Sequence, residues 1–296
     1  MSIIARPYAG EADYERIRTL LRTIYALDGP PVYCTTGDLD WWRCTDDDSA
    51  AINEAHLWLD GDDVVAIAWP SATQVDLLTH PHYRALEDEM LRWAEQRHAS
   101  RTDAPAAFAA WGYEGDRQRT AVLQAHGFTR TGDHFIFRTR SLDAPLPAPV
   151  LPSGFSIRHV QGEEDLQARV EVHRAAFAPS RMTAAKHRAV MASPTYRSEL
   201  DLVVVAPDGR FAAFCIVWLD DANCSGMFEP VGCHPDFQRR GLTKALLLEG
   251  LRRLQDQGAI RAHVNSRHDA VAANRLYESV GFEELDRNYR WVKQLS

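Results

Sequence analysis

The segment HPDFQRRGLTKALL (234–247) sets two arginines, a glycine and a threonine where a strand-like stretch gives way to an amphipathic helix. The first turn of a helix offers unpaired backbone N–H groups and the positive end of its dipole, which together suit an anion such as a phosphate. Gly241 lets the backbone bend and approach a ligand with no Cβ in the way. Arg239, Arg240 and the Thr243 hydroxyl could add charge-assisted bonds. Taken alone, QRRG reads equally well as an ordinary strand-to-helix turn with solvated basic residues. Earlier in the chain HPHYRALEDEML (80–91) opens the same way, then loses the glycine and most of the basic charge.

The elements that must position these residues can be read from pattern. In the second half LQARVEVHRAAF is helical, followed by strand-like DLVVVA (201–206), RFAAFCIVWL (210–219) and CSGMFEPVGC (224–233), separated by PDGR and DDAN turns. Pro230 forfeits a ladder hydrogen bond, so it predicts a bulge or a splayed edge in its strand. A helix starts at about Leu242 with Leu247, Leu248, Leu251 and Leu254 on one face. RAHVNS is a short strand, AVAANRLYESV a helix ended by Gly281, and YRWVKQ a last alternating strand. The first half runs in parallel: HLWLD, DVVAIAW and QVDLLT as strands, a helix from 83, AAFAAW as a strand, and a helix ended by Gly127.

The parallel extends to spacing. RPYAGEAD (6–13) matches RHVQGEED (158–165), His80-Pro81 matches His234-Pro235, and Pro81 to Gly127 and Pro235 to Gly281 are the same 46 residues apart. This reads as a tandem repeat of one α/β domain, with a strand meander followed by alternating helices and strands. DAPLPAPVLPSG (143–154), with Pro145, Pro147, Pro149 and Pro152, cannot be a helix interior or a central strand and reads as a semi-rigid linker. The expected organisation is a first domain at 1–142, the linker, and a second domain at 155–296.

The series strand, HPxF, QRRGLT, amphipathic helix, strand, NRLYESVGF resembles the signature of the GNAT superfamily of N-acetyltransferases over nearly all of 155–296. The resemblance implies two tandem GNAT-like domains, each a mixed, mostly antiparallel sheet flanked by helices, with acetyl-CoA as co-substrate and no metal. It places the acyl-CoA pyrophosphate on Gln238, Arg239, Arg240, Gly241, Leu242 and Thr243, with Lys244 next in the helix. It pairs the pantetheine arm with the strand through Val231, Gly232 and Cys233. Thr243 stands where the family usually has Gly or Ala. The usual Asn about seven residues before the tyrosine is absent: Ala270 stands there, with Asn274 as a candidate substitute. Tyr277 matches the family's general acid, against the plainer reading of a core tyrosine on a helix. Glu229 lies where the family often has a base, with its side chain opposite that of Phe228; an exposed strand carboxylate is the other reading.

In ungapped register Glu87 replaces Gly241 and Leu123 replaces Tyr277 in the first half. Glu87, Asp88 and Glu89 suit a helix N-terminus and would repel a phosphate, so no acyl-CoA site is expected there. Packing on the second half and shaping the acceptor pocket are the expected roles. Trp41 or Trp42 in DLDWWRC (38–44) could line a substrate wall, or both are core residues. Segment 181–200 falls where the family's acceptor side usually lies.

The chain has 296 residues, 45% hydrophobic and 25% charged, with net charge −8. That is a globular composition with room for two cores, and the charge argues against nucleic acid or anionic membrane as a partner. Five cysteines show no metal-ligand spacing, nor do His80, His82 and His234. No signal peptide or membrane span is visible, and the expectation is a reduced cytoplasmic protein. The reading that follows is an acetyltransferase acting by direct amine attack on the thioester in the second half, with a small-molecule amine acceptor left open. Its two-domain layout resembles that of the mycothiol synthases, which acetylate a cysteinyl amine on a sugar conjugate. Oligomeric state is not addressed by the sequence. The alternatives are a non-catalytic acyl-CoA-binding module, or a GNAT-like transferase with another donor such as aminoacyl-tRNA.

Overall fold

The repeat read from the sequence is carried down to single hydrogen bonds. In the computed structural model, which describes residues 3–45, 51–102 and 105–295, Arg6 grips Asp13 through two nitrogens at 2.6 and 2.7 Å, and Asp13 accepts from the Ala9 N–H. Arg158 grips Asp165 in the same two-pronged way, and Asp165 accepts from the Gln161 N–H at 2.7 Å. His80 and His234 share one backbone conformation (φ −59°, ψ 136° and φ −58°, ψ 136°), and each ring accepts at 3.1 Å from the N–H two residues on.

The chain forms two compact units. The first, from Met1–Thr35, Asp48–Phe137 and Leu285–Ser296, contains β1 (Ile4–Pro7), α1 (Glu11–Asp28), β2 (His56–Asp60), β3 (Asp63–Pro70), β4 (Gln74–Thr79) and α3 (Glu87–Ala99). It also contains β5 (Ala107–Tyr113), α4 (Arg117–Ala125) and most of β6 (Thr129–Ser141) and β12 (Glu283–Gln294). The second, from Thr36–Asp47 and Arg138–Glu284, contains α2 (Thr36–Thr45), β7 (Ser156–His159), α5 (Leu166–Ala176), α6 (Ala184–Met191) and β8 (Asp201–Val205). It continues with β9 (Phe211–Asp220), β10 (Ser225–Cys233), α7 (Leu242–Asp256), β11 (Arg261–Arg267) and α8 (Val271–Ser279).

Strand order is β1-β2-β3-β4-β5-β12 in the first unit and β11-β10-β9-β8-β7 in the second. Each set is antiparallel except for one parallel pair, β4 with β5 and β10 with β11. The core of the second unit lies under α7, whose Leu242, Leu246, Leu247, Leu251 and Leu254 are at most 1% exposed against Val217 and Phe228 of the sheet. Burying each such side chain contributes about 1.5–3 kcal/mol, so the leucine face read from the sequence is what seats the helix.

The units trade two segments relative to the sequence halves. Residues of β12 pair with β5, and Tyr289 and Trp291 enter the first unit's core beside Leu123 and Phe128. In exchange α2 joins the second unit. There Gly37 lies so close to Trp218 that a Cβ would sit 2.3 Å from its side chain, and Asp40 accepts from the Thr195 N–H at 2.9 Å. Segment 143–154 has no helix or strand, but it is not loose: Leu146 and Leu151 pack on the second core. The helix expected from 83 begins at Glu87, after a 3-10 turn over Pro81–Leu86 in which Tyr83 is non-helical. No helix among the described residues is long and apolar enough to cross a membrane.

Candidate functional site

The second unit opens where Pro230 interrupts its sheet. From Ser225 to Phe228 β10 pairs with both neighbours, with Phe228 opposite Val264 of β11. The register with β9 then shifts, and pairing resumes at Val231↔Cys215, Gly232↔Phe214 and Cys233↔Ala213. Pairing with β11 does not resume, although β11 runs on to Arg267. The splay expected from Pro230 is present. Beyond Phe228 the β10 edge that carries Val231 and Cys233 faces a gap in the sheet. At the fork the Trp218 indole N–H donates to the Glu229 carbonyl at 2.5 Å, holding the displaced backbone.

The loop after β10 leads to the start of α7. Arg239 (φ +61°) and Gly241 (φ +77°) are both left-handed, so the backbone curls tightly into the start of α7. No atom lies within 4 Å of where a Gly241 Cβ would be, and Gln238, Arg239, Arg240, Gly241 and Lys244 are exposed. Leu242 is buried and anchors the helix start. The Thr243 hydroxyl meets the Cys233 thiol, tying the loop back to the strand end, while burial pushes that thiol up. The cradle is open, basic and edged by donors, a chemistry that suits an anionic group.

Tyr277 on α8 is 6% exposed, edge-on to Phe282. Burial pushes its hydroxyl well above the usual tyrosine range, aided by Cys215 and Glu229 and opposed by Arg138. It is both packed and poised to hold its proton. Asn274 is turned inward: its Oδ1 accepts from Arg138 and Ser266 at 3.0 and 2.7 Å, and its Nδ2 donates to the Arg267 and His268 carbonyls at 3.1 and 3.2 Å. With its amide so occupied, Asn274 shapes the β11–α8 turn and has little left to offer a ligand.

Phe228 enters the core beneath α7, and Glu229 faces the other way. With Pro230 it lines a cavity of about 500 Å³, walled by Trp41, His173, Phe177 and Met182, with Arg181 and Lys186 at the α6 side. Trp41 is 8% exposed, so it is a core residue and a wall residue at once. Burial drives the Glu229 carboxyl well above the usual carboxylate range. The charge of Asp38 and a hydrogen bond between the two carboxyls add to this, and a bond with Trp42 opposes it. Two carboxyls in contact hold a proton between them. His173 is lowered to about 3, by burial first and then by Arg169 and His187, so it lines the cavity as a neutral ring.

Asp38 opens the segment DLDWWRC, and nothing in its spacing links it to Glu229, 191 positions away in sequence. Only the seating of α2 on β9 brings the two together. Arg138 and Ser266 left no sequence signal either.

The first unit keeps the fork and fills the cradle. β4 and β5 pair only at Gln74↔Ala109 and Val75↔Ala110. At the helix start Glu87, fully buried, takes Arg119 through two nitrogens at 2.8 and 3.0 Å and also binds Arg84, which holds Asp116 at 2.7 Å. Burial alone would push the Glu87 carboxyl up; Arg119 and Arg84 outweigh it and hold it below the usual range. Asp88 turns to Arg92 and His126, and Glu89 accepts from the Trp58 indole at 2.8 Å.

A family model described as an acetyltransferase (GNAT) domain matches residues 198–284. Mycothiol acetyltransferase of Salinispora arenicola is 31% identical over 221 residues, covering 72% of this chain and 70% of the relative. The protein of that name from Saccharomonospora viridis is 26% identical over 318 residues, covering 97% and 98%. A solved tandem GNAT protein from the clavulanic acid biosynthesis pathway superposes with a TM-score of 0.67 at 17% identity, covering 99% of this chain and 98% of its own. At that identity the likeness speaks for the fold alone.

Proposed function

The chain belongs to the GNAT family of N-acetyltransferases, and we propose that its second unit moves the acetyl group of acetyl-CoA to a small-molecule primary amine. The carrying observation is that β10 parts from β11 at Phe228, so one fork joins the backbone edge, the cradle at Gly241, and the side chains of Glu229 and Tyr277. Arg239, Arg240, Lys244 and the first N–H groups of α7 would hold the pyrophosphate. The backbone of Val231 and Cys233 would pair with the pantetheine arm. The amine would come from the Trp41–His173 cavity, on the face that Glu229 lines. The relatives' name makes the cysteinyl amine of a mycothiol precursor the first acceptor to try.

In the reaction the amine nitrogen bonds to the thioester carbon and the carbon–sulfur bond breaks. The amine's proton passes, directly or through water, to Glu229, and the sulfur takes the Tyr277 proton. An ammonium titrates between about 7.7 for an α-amine and about 10.4 for a lysine-type amine, and only an ionised carboxylate can accept the proton that the attacking nitrogen gives up. Asp38 acts against that state: its charge keeps the proton on Glu229. The rate should therefore rise with pH as the pair loses its proton.

The test is kcat/KM against pH for acetyl-CoA with a panel of amines. Asp38→Asn removes the charge that holds the proton, so the rising limb should move to lower pH. Glu229→Gln should abolish the part of the limb that Asp38→Asn moves, leaving only the amine's own ionisation, and should lower the rate by about 10²–10⁴-fold, the range for a lost acid–base group. A limb unmoved by either variant would refute the role of the pair. Acetyl-CoA binding with no turnover of any amine would make the unit a binding module.

A further inference from the structure

We propose that Arg138 is a positioning residue for the transfer: from β6 it clamps the β11–α8 junction and keeps a fixed positive charge within reach of Tyr277. This rests on the reading of Tyr277 as the acid.

Arg138 is 2% exposed. One of its terminal nitrogens donates to Ser266 Oγ at 2.7 Å and to Asn274 Oδ1 at 3.0 Å, and Ser266 Oγ itself donates to Asn274 Oδ1 at 2.7 Å. Its nearest carboxylate is Glu278 at 3.6 Å, a side chain 60% exposed, and its Nε has no partner among the described residues. The guanidinium is thus buried among neutral oxygens with its charge only weakly answered. Such a group is costly to bury, and uncharged residues of similar volume often serve stability as well or better. Shape alone does not account for an arginine here.

Asn274 and Tyr277 are three apart on α8, hence on one face, so the group that grips Asn274 is held close to Tyr277. The charge also has work to do. Burial, then Cys215 on β9 and Glu229 on β10, make the Tyr277 hydroxyl a weaker acid, and Arg138 is the group that opposes them. A thiolate of ordinary pKa near 8.5 draws a proton poorly from so weak an acid. A fixed cation narrows that gap and favours the negative charge left on the tyrosine oxygen.

The experiment is a double-mutant cycle in kcat: Arg138→Met, Tyr277→Phe and the pair, with saturating acetyl-CoA and the fastest amine of the panel, alongside calorimetric binding of acetyl-CoA. Arg138→Met should lower kcat about 10- to 100-fold, less than the roughly 10²–10⁴-fold of an acid lost outright because Tyr277 is kept, and should change the acetyl-CoA Kd less than about threefold. In the Tyr277→Phe background the same change should cost less than about twofold, because it acts through the tyrosine. Arg138→Lys, which keeps the charge, should recover most of the rate, and Arg138→Gln, which removes the charge but keeps a donor for Ser266 and Asn274, carries the cycle if Arg138→Met does not fold. Additive losses in a Tyr277-dependent enzyme would overturn this inference alone. A silent Tyr277→Phe, or no turnover of any amine, would overturn the acid reading and this inference with it.

Discussion

Writing the first unit's residue into the second, Gly241→Glu, tests the cradle in one change. Gly241 sits at φ +77°, and a Cβ added there would meet nothing within 4 Å. No clash is incurred, and two separable effects remain. A side chain in the left-handed region costs roughly 1–2 kcal/mol, a cost that Gly241→Ala shares. The carboxylate adds repulsion: at about 5 Å from one phosphate charge, Coulomb's law gives roughly 1 kcal/mol in water and about 3 kcal/mol at an effective dielectric of 20. The position is exposed, so the lower half of that range applies and added salt should weaken it. At 1.4 kcal/mol per tenfold, Gly241→Glu should bind acetyl-CoA about 5- to 30-fold more weakly than Gly241→Ala at low salt, with the gap closing as salt rises. Isothermal titration reads both Kd and stoichiometry, and the wild type should bind one equivalent. Equal Kd values for the two variants would refute the electrostatic account of the cradle. Two equivalents in the wild type would refute the account of Glu87.

Gly37→Ala places a Cβ 2.3 Å from Trp218, an overpacking that should cost about 1–3 kcal/mol by urea unfolding. It should lower kcat/KM for the amine as well, since α2 carries Trp41 of the cavity wall; unchanged values for both would show that α2 is not seated as described. Glu87→Ala leaves Arg119, 2% exposed, without its carboxylate, and should cost about 3–5 kcal/mol at neutral pH without creating a second acetyl-CoA site. The Glu87 pKa is lower folded than unfolded. Its contribution is therefore complete above the unfolded value of about 4.3 and is lost as pH falls through the folded value, so wild type and variant should converge in acid. A gap that persists there would locate the cost elsewhere.

Features that depend on neighbours along the chain were legible in the residues alone. QRRGLT marked the bend at Gly241, because the short connection from Cys233 to Leu242 must turn a strand into an amphipathic helix. Pro230 announced the parting of β10 from β11 because a missing N–H removes a ladder bond whatever surrounds it. The matched segments RPYAGEAD and RHVQGEED announced the repeat, but that their Arg and Asp close into a clamp is seen only in the structure. Short elements were less legible: α6, β1 and β7 have too few residues to show a period. Packing settled what depends on partners far apart in sequence. It gave β12 to the first unit, because Tyr289 and Trp291 find their core there, and α2 to the second, because Gly37 fits against Trp218. That exchange sets Asp38 beside Glu229 and gives Glu229 the raised affinity for a proton that defines its chemistry. Asn274 turned inward for the same reason, since Arg138 and Ser266 reach it only once β6, β11 and α8 have packed. A carboxylate's residue type is local, but its proton affinity belongs to the charges and the burial that the fold assembles around it.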